Sequence, residues 1–395
     1  MLATDIDQFY PSIYTHAVSW ALHTKAVSKA ALKSKGKKGP PLVGDLLDKA
    51  LQRMNDGQTH GIPIGPDTSL VIAEILLAAA DAEFLSKSSN LLRGFRYVDD
   101  YELSFQSLSD AEMALTDLQA VLASFELLLN PKKTSIISLP HALDSYWSLE
   151  LKSIDVRGAK HPVGQRNDLL ALFGRAFTLA SLHPSESVLR YAVARVQGLG
   201  VHSSAWRAFH NCVLGAAAAD ASTLPVVLGT LYEVARRGGH TVPKAPVAEV
   251  LESVIVRHAP RAQGSEVAWA LWGALAWKIS LSKEAAELVD PMEDDVVAIL
   301  AMHAAAQGLF PKGALTTSHW SSLALEPQAL SHEHWLLAYE ANQQGWLTVP
   351  SVTAHPVFSA MAAANVSFYD QKNIKPQFPQ AGRSIPGGTL WSDYA

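Results

Sequence analysis

Phe95-Arg96-Tyr97-Val98-Asp99-Asp100-Tyr101-Glu102-Leu103-Ser104-Phe105 is the stretch on which the fold turns. Apolar and aromatic residues flank an acid pair, and the pattern predicts two strands with the acids at a hairpin turn. Adjacent carboxylates at a strand end repel one another unless positive charge offsets them. A divalent cation with a preference for hard oxygen ligands is the natural source of that charge. Acid pairs at turns are also common as solvated features, so this pair alone selects no function.

Three further segments supply the context. Thr4-Asp5-Ile6-Asp7-Gln8-Phe9-Tyr10-Pro11-Ser12-Ile13 carries another carboxylate on a strand that runs into a helix. Gly61-Ile62-Pro63-Ile64-Gly65-Pro66-Asp67-Thr68-Ser69 is a small-residue loop ahead of an apolar helix from Leu70 to about Leu85. Glycines there let the backbone approach a ligand closely. Leu129-Asn130-Pro131-Lys132-Lys133-Thr134 follows the hairpin. In this order the four segments, spanning residues 4–134, resemble motifs A, B, C and D of reverse transcriptases.

The resemblance implies that Asp5 and Asp99 bridge two Mg²⁺ ions, Mn²⁺ being a substitute, with Asp100 beside them as ligand or support. Two such ions about 3.5–4 Å apart activate a 3′-hydroxyl and neutralise a leaving pyrophosphate. Deoxynucleoside triphosphates and a primer, template or product strand are the implied partners. Tyr10, five positions after the motif A carboxylate, is implied to lie against the sugar C2′ and exclude a 2′-hydroxyl. Read without the resemblance, Phe9 and Tyr10 are core aromatics. Gly65 is implied to line the nucleotide, and Lys133 to stabilise the leaving pyrophosphate. The plain alternative for Lys133 is a solvated lysine ahead of a strand. Ile64 stands where many relatives have Gln, which puts one contact in doubt. Asp7 shares the strand face of Asp5 by the two-residue period but stands where many relatives carry a basic residue, and is given no role.

Phe9-Tyr10-Pro11-Ser12-Ile13-Tyr14-Thr15-His16, Trp20-Ala21-Leu22-His23 and Gln58-Thr59-His60-Gly61 are similar to the bacterial abortive-infection and defence-associated reverse transcriptases. Those join a polymerase to an α-helical repeat domain, so antiviral defence is implied. Such polymerases also carry a fingers region ahead of motif A. Asp5 is the fifth residue, so the resemblance implies a start upstream of Met1 or a fingers-bearing partner; a homo-oligomer is a further arrangement. The reading from another class is a helical scaffold whose palm is catalytically silent.

The expected fold is α+β: a reverse transcriptase-like palm, an antiparallel sheet with helices on one face, followed by an all-α HEAT-like repeat domain. Residues 1–150 form the palm, 160–360 the repeat domain and 361–395 an irregular tail. Strands are expected at 2–7, 93–98, 101–106 and 133–138, and helices near 12–23, 44–55 and 67–86. Ser109-Asp110-Ala111-Glu112 reads as a capping box opening a helix to about Phe125. From 166 onward helices follow one another at 169–182, 185–197, 205–218, 224–237, 247–258, 266–281, 294–307 and 332–344. Helix pairs recur at about 40 residues, the period of HEAT-like arrays, and Gly198-Leu199-Gly200, Gly238-Gly239 and Asp290-Pro291 are stop signals.

Composition bounds the rest. Apolar residues at 48% and charged residues at 17% suit a globular chain, and 395 residues give room for two or three domains. The formal charge of −5 disfavours tight binding to bulk duplex. Lys25, Lys29, Lys33, Lys35, Lys37 and Lys38 form a basic run that reads equally as a phosphate track or a solvated loop. The single cysteine, Cys212, excludes an intramolecular disulfide framework and reads as a buried small apolar residue. With neither a signal peptide nor a long apolar span evident, a cytoplasmic protein is expected, with no membrane partner. His332-Glu333-His334 reads as a solvated helix start rather than a zinc site, and Trp269, Trp272 and Trp277 as core.

Overall fold

Leu2 and Thr4 are buried in strand β1 (Leu2–Asp5), as are Tyr101 and Leu103 in β3 (Asp100–Ser104). This alternation is the mark of a sheet with one packed face. Between them in sequence lies β2 (Arg93–Tyr97), and β4 (Ser135–Ile136) follows. The computed structural model, which describes residues 1–33, 41–138, 140 and 145–374, joins them into an antiparallel sheet ordered β2-β3-β1-β4. The chain divides into two units, Met1–Leu143 and Asp144–Ala395. The fold class is α+β and mostly helical. No helix among the described residues is long and apolar enough to cross a membrane.

In the first unit the helices are α1 (Phe9–Ser12), α2 (Thr15–His23), α3 (Lys25–Lys33), α4 (Val43–Met54), α5 (Asp67–Lys87) and α6 (Leu108–Ser124). Leu2 and Leu103 of the sheet share one core with Leu76, Leu77, Ala80 and Phe84 of α5 and with Leu118, Val121 and Leu122 of α6. The register sets Tyr97, Asp100 and Asp5 in one cross-strand row and Phe95, Glu102 and Ala3 in the next. By the pleat both rows lie on the face turned away from that core.

Three local expectations fail against the structure. Strand β1 ends at Asp5, and Ile6 turns away to bridge Leu129, so Asp7 shares no strand face with Asp5. The cap of α6 is Ser107, whose Oγ accepts from Asp110 N at 3.1 Å, rather than Ser109. Lys25, Lys29 and Lys33 stand on a helix, α3, and not in a loop. There Lys25 sits 3.9 Å over the Trp20 ring and reaches Glu126. Lys35, Lys37 and Lys38 lie outside the described residues, as does Leu139.

The second unit is all helical among its described residues: α7 (Tyr146–Ser153), α8 (Pro162–Leu182), α9 (Val188–Val196), α10 (Ser203–Ala219), α11 (Leu224–Gly238), α12 (Lys244–His258), α13 (Gly264–Trp277), α14 (Lys283–Val289), α15 (Asp295–Ala306), α16 (Ser318–Ala324), α17 (Trp335–Gln343), α18 (Pro350–Ala354) and α19 (Pro356–Ala363). Packing runs between alternate helices. One row is α8–α10–α12–α14 and the other α9–α11–α13–α15–α17, each helix touching the next in its row. Trp147 is buried in the core of this unit. Helix α13 stops at Trp277, short of the expected 281, because Lys278 turns left-handed at φ +53° and Ile279 N bonds back to Ala274 O. Trp269, Trp272 and Trp277 are half-buried against the core. Cys212 packs there too, and burial pushes its thiol up to about 11.

His332-Glu333-His334 departs from its expectation. The helix begins only at Trp335, and His334 is buried with Nδ1 3.0 Å from Asp295. Segment 366–369 is tied down: Tyr339 donates to Val366 O at 2.6 Å and Tyr369 meets His303 Nδ1 at 2.8 Å. Residues 375–395 lie outside the described residues.

Asp168 offers a direct check on the second unit. Paired hydrogen bonds from Arg157 hold its carboxyl down at about 2. Because the folded value is depressed, any stabilisation from the pair is complete above the unfolded value of about 3.9. It is lost as pH falls through about 2. A carboxyl-detected NMR titration of Arg157→Gln should raise the Asp168 midpoint towards the unfolded value of about 3.9, stopping short of it because the residue 157 N–H still donates to Oδ2; an unchanged midpoint would count against the pair.

Candidate functional site

The site is built where β1 ends. Asp5 and Asp100 are register partners on neighbouring antiparallel strands, and like charges directly opposed destabilise a sheet. Asp5 is only 4% exposed, while Asp100 opens to solvent. Asp99 occupies the two-residue turn between Tyr97 and Asp100, whose pairing closes the hairpin. Its carbonyl accepts from Ile6 N at 3.2 Å, which ties the turn to the residue after Asp5. Burial pushes the Asp99 carboxyl above the usual carboxylate range. The charges of Asp100 and Asp5 add to that rise, and its own backbone N–H and Lys133 oppose it.

Positive charge arrives from the segment after the hairpin. Asn130 N donates to Asp5 O at 2.9 Å, and Lys132 N bonds Asn130 Oδ1 at 3.0 Å, an Asx turn that folds the chain back. Thr134 Oγ1 bonds Asn130 O at 2.7 Å and Thr4 Oγ1 at 2.6 Å. The turn delivers the Lys133 ammonium onto Asp5 Oδ2, and that bond holds Lys133 above the usual lysine range. The other oxygen, Asp5 Oδ1, is buried with no hydrogen-bond partner among the described residues. An unpaired buried acceptor is costly.

Tyr10 and the glycine loop are joined to each other. Tyr10 is half-buried on α1, and its phenol is raised by burial, with the fields of Asp99 and Glu74 adding to the rise. Ile62 N donates to Tyr10 O at 3.0 Å and Gly61 N to Ile13 O at 2.9 Å, so the loop is sewn to the Tyr10 segment. Gly61 is required there: its φ is +85° and an added Cβ would press on Pro11 O at 3.3 Å. Gly65, at φ +113°, lies in open space, and no hydrogen bond among the described residues ties it to the acids. The exposed Ile64 beside it is equally free of a packing role.

Arg96 is the residue that sequence reasoning missed. Its guanidinium, 11% exposed, spans Glu74 Oε1 and Oε2 at 2.8 and 2.9 Å, Asp81 Oδ2 at 2.9 Å and Val98 O at 2.7 Å. Tyr101 completes the group through a 2.9 Å bond to Asp81. The Arg96 bond holds Glu74 below the usual carboxylate range. The readable signal was the seven-residue spacing of Glu74 and Asp81, which puts both on one face of α5.

The residues that could hold a hard divalent cation are Asp5 of β1, Asp100 of β3 and Asp99 of the turn before it, and Asp5 Oδ1 is buried with no partner among the described residues. As the side chains lie, no three His, Cys, Asp or Glu among the described residues converge as a ligand set. Lys133 occupies the outer oxygen of Asp5 instead. No family model and no curated protein matches the chain.

The charge balance around Asp99 has a signed test. Asp100→Asn removes a like charge and should lower the Asp99 midpoint, whereas Lys133→Gln removes an opposite charge and should raise it. Carboxyl ¹³C titration reads both, and movement of the two in the same direction contradicts the arrangement.

Proposed function

We propose that this chain is a nucleotidyltransferase of the reverse transcriptase type, its first unit a palm and its second a HEAT-like helical array. Deoxynucleoside triphosphates are the substrate class and a nucleic acid 3′-end the acceptor. The observation that carries the reading is the opposition of Asp5 to Asp100, beside Asp99, with Asp5 Oδ1 buried and unpartnered. A purely structural strand end gains nothing from opposed carboxylates. A role in antiviral defence rests on the resemblance of motif phrasing alone.

In this reading Asp5, Asp99 and Asp100 hold Mg²⁺ or Mn²⁺. Bound there, the cation would supply Lewis-acid activation of the 3′-hydroxyl and neutralise the leaving pyrophosphate. Asp5, fixed by the sheet and by Asn130 N, sets the position of the reacting centre. The Asp99 carboxyl is raised first by burial, and the charges of Asp100 and Asp5 add a smaller part that a bound cation would offset. Lys133 keeps its ammonium, and once off Asp5 offers it to the departing phosphates. The Tyr10 ring, anchored through its carbonyl to Ile62, blocks a 2′-hydroxyl by bulk.

A second reading has its own observation. The Lys133–Asp5 pair already neutralises one acid, which suits a silent palm kept as part of a scaffold. Incubation with labelled deoxynucleotides, a primed template and Mg²⁺, beside Asp99→Ala, separates the two. The enzyme reading expects incorporation that falls at least ~100-fold in the variant, more than the loss of an outer-shell partner. Equal incorporation by both proteins would sink it, and none by the wild type supports the scaffold.

A further inference from the structure

Val98 sits at the first loop position of the Tyr97–Asp100 turn with φ +55°. A β-branched residue in the left-handed region is strained. Such strain persists only where the surroundings over-determine the conformation. Here two bonds flank the Asp99 residue. The Val98 carbonyl, the other end of the peptide link into Asp99, accepts from Arg96 Nη1 at 2.7 Å. The Asp99 carbonyl accepts from Ile6 N at 3.2 Å. Arg96 is itself immobilised by Glu74 and Asp81, two turns apart on α5.

We propose that Arg96 is a positioning residue, which holds the Val98–Asp99 peptide so that the Asp99 carboxylate faces Asp5, with Glu74 and Asp81 setting the guanidinium. This inference rests on the reading of Asp5, Asp99 and Asp100 as a divalent-cation site. A fork is needed because one group must reach two carboxylates and a carbonyl together. Lysine, a single point charge on a flexible stem, does not reproduce that geometry. The arrangement also links the hairpin to α5, the helix that follows the Gly61–Gly65 loop, so the nucleotide-side loop and the metal-side turn share one rigid support.

The test is Mn²⁺ binding, read from the free-ion electron paramagnetic resonance signal, on the whole chain. The proteins are wild type, Asp99→Asn, Arg96→Met, Arg96→Lys and Arg96→Met with Val98→Gly. Asp99→Asn and Arg96→Met should each weaken binding at least ~10-fold, with Arg96→Lys between them and wild type. Val98→Gly should restore part of the loss in Arg96→Met, because glycine adopts the left-handed turn without being held there. A merely structural arginine gains nothing from that glycine. If Arg96→Met does not fold, Arg96→Lys decides: wild-type affinity in either variant, with Asp99→Asn weakened, overturns the positioning role and leaves the metal site standing. Loss without any rescue by glycine also overturns it. Equal binding by wild type and Asp99→Asn overturns the metal-site reading, and the role of Arg96 with it.

Discussion

Opposed negative charge at the end of a packed sheet is the constraint around which the first unit is arranged. Asp5 cannot move away from Asp100, because Leu2, Thr4, Tyr101 and Leu103 anchor the same two strands in the core below. The repulsion is therefore built in and has to be met locally. Burial makes it worse, since a buried carboxylate has lost the water that would screen it. Everything close by answers this condition: the Asx turn that returns Lys133, the bond from Ile6 to the Asp99 carbonyl, and the elevated Asp99 carboxyl.

Positive charge is correspondingly placed with some economy. Lys133 reaches Asp5 on a side chain that is 64% exposed. Arg96 lies behind the turn, nearly buried, and serves the backbone rather than the acids. The two cations thus differ in kind. One is a removable counter-charge, and the other belongs to the rigid frame. An arginine suits the second task because its planar fork binds carboxylates in a fixed geometry.

Local pattern made much of this legible. Alternation around Asp99-Asp100 marks a hairpin, because that signal lies within a few residues of the structure it causes. The helices of the second unit are legible for the same reason: their apolar periodicity and their Gly and Pro breaks are local. What stayed hidden depends on distance in the chain. Arg96 meets Glu74 and Asp81 only after α5 has packed against the sheet, and His334 meets Asp295 only after α15 and α17 have docked. Ser107 was missed as a cap because Ser109 offers the same pattern two residues on, and only backbone geometry separates them. That Asp5 Oδ1 lacks a partner is a property of packing, which no residue spacing encodes.

In the second unit each helix meets mainly its near neighbours in sequence, so most of its packing is local. One feature runs against that modularity. Glu340 is fully buried, and its carboxyl is satisfied by Ser367 Oγ at 3.0 Å, by the N–H of Phe368 and by Gln344 Nε2 at 3.1 Å. Two of those three donors come from beyond residue 365. The stretch that looks like a trailing end in the sequence is therefore a stopper. Trimmed back to Asn365, the chain would leave a naked acceptor in the interior of the last helices, so that the domain's folded boundary reaches past its final helix.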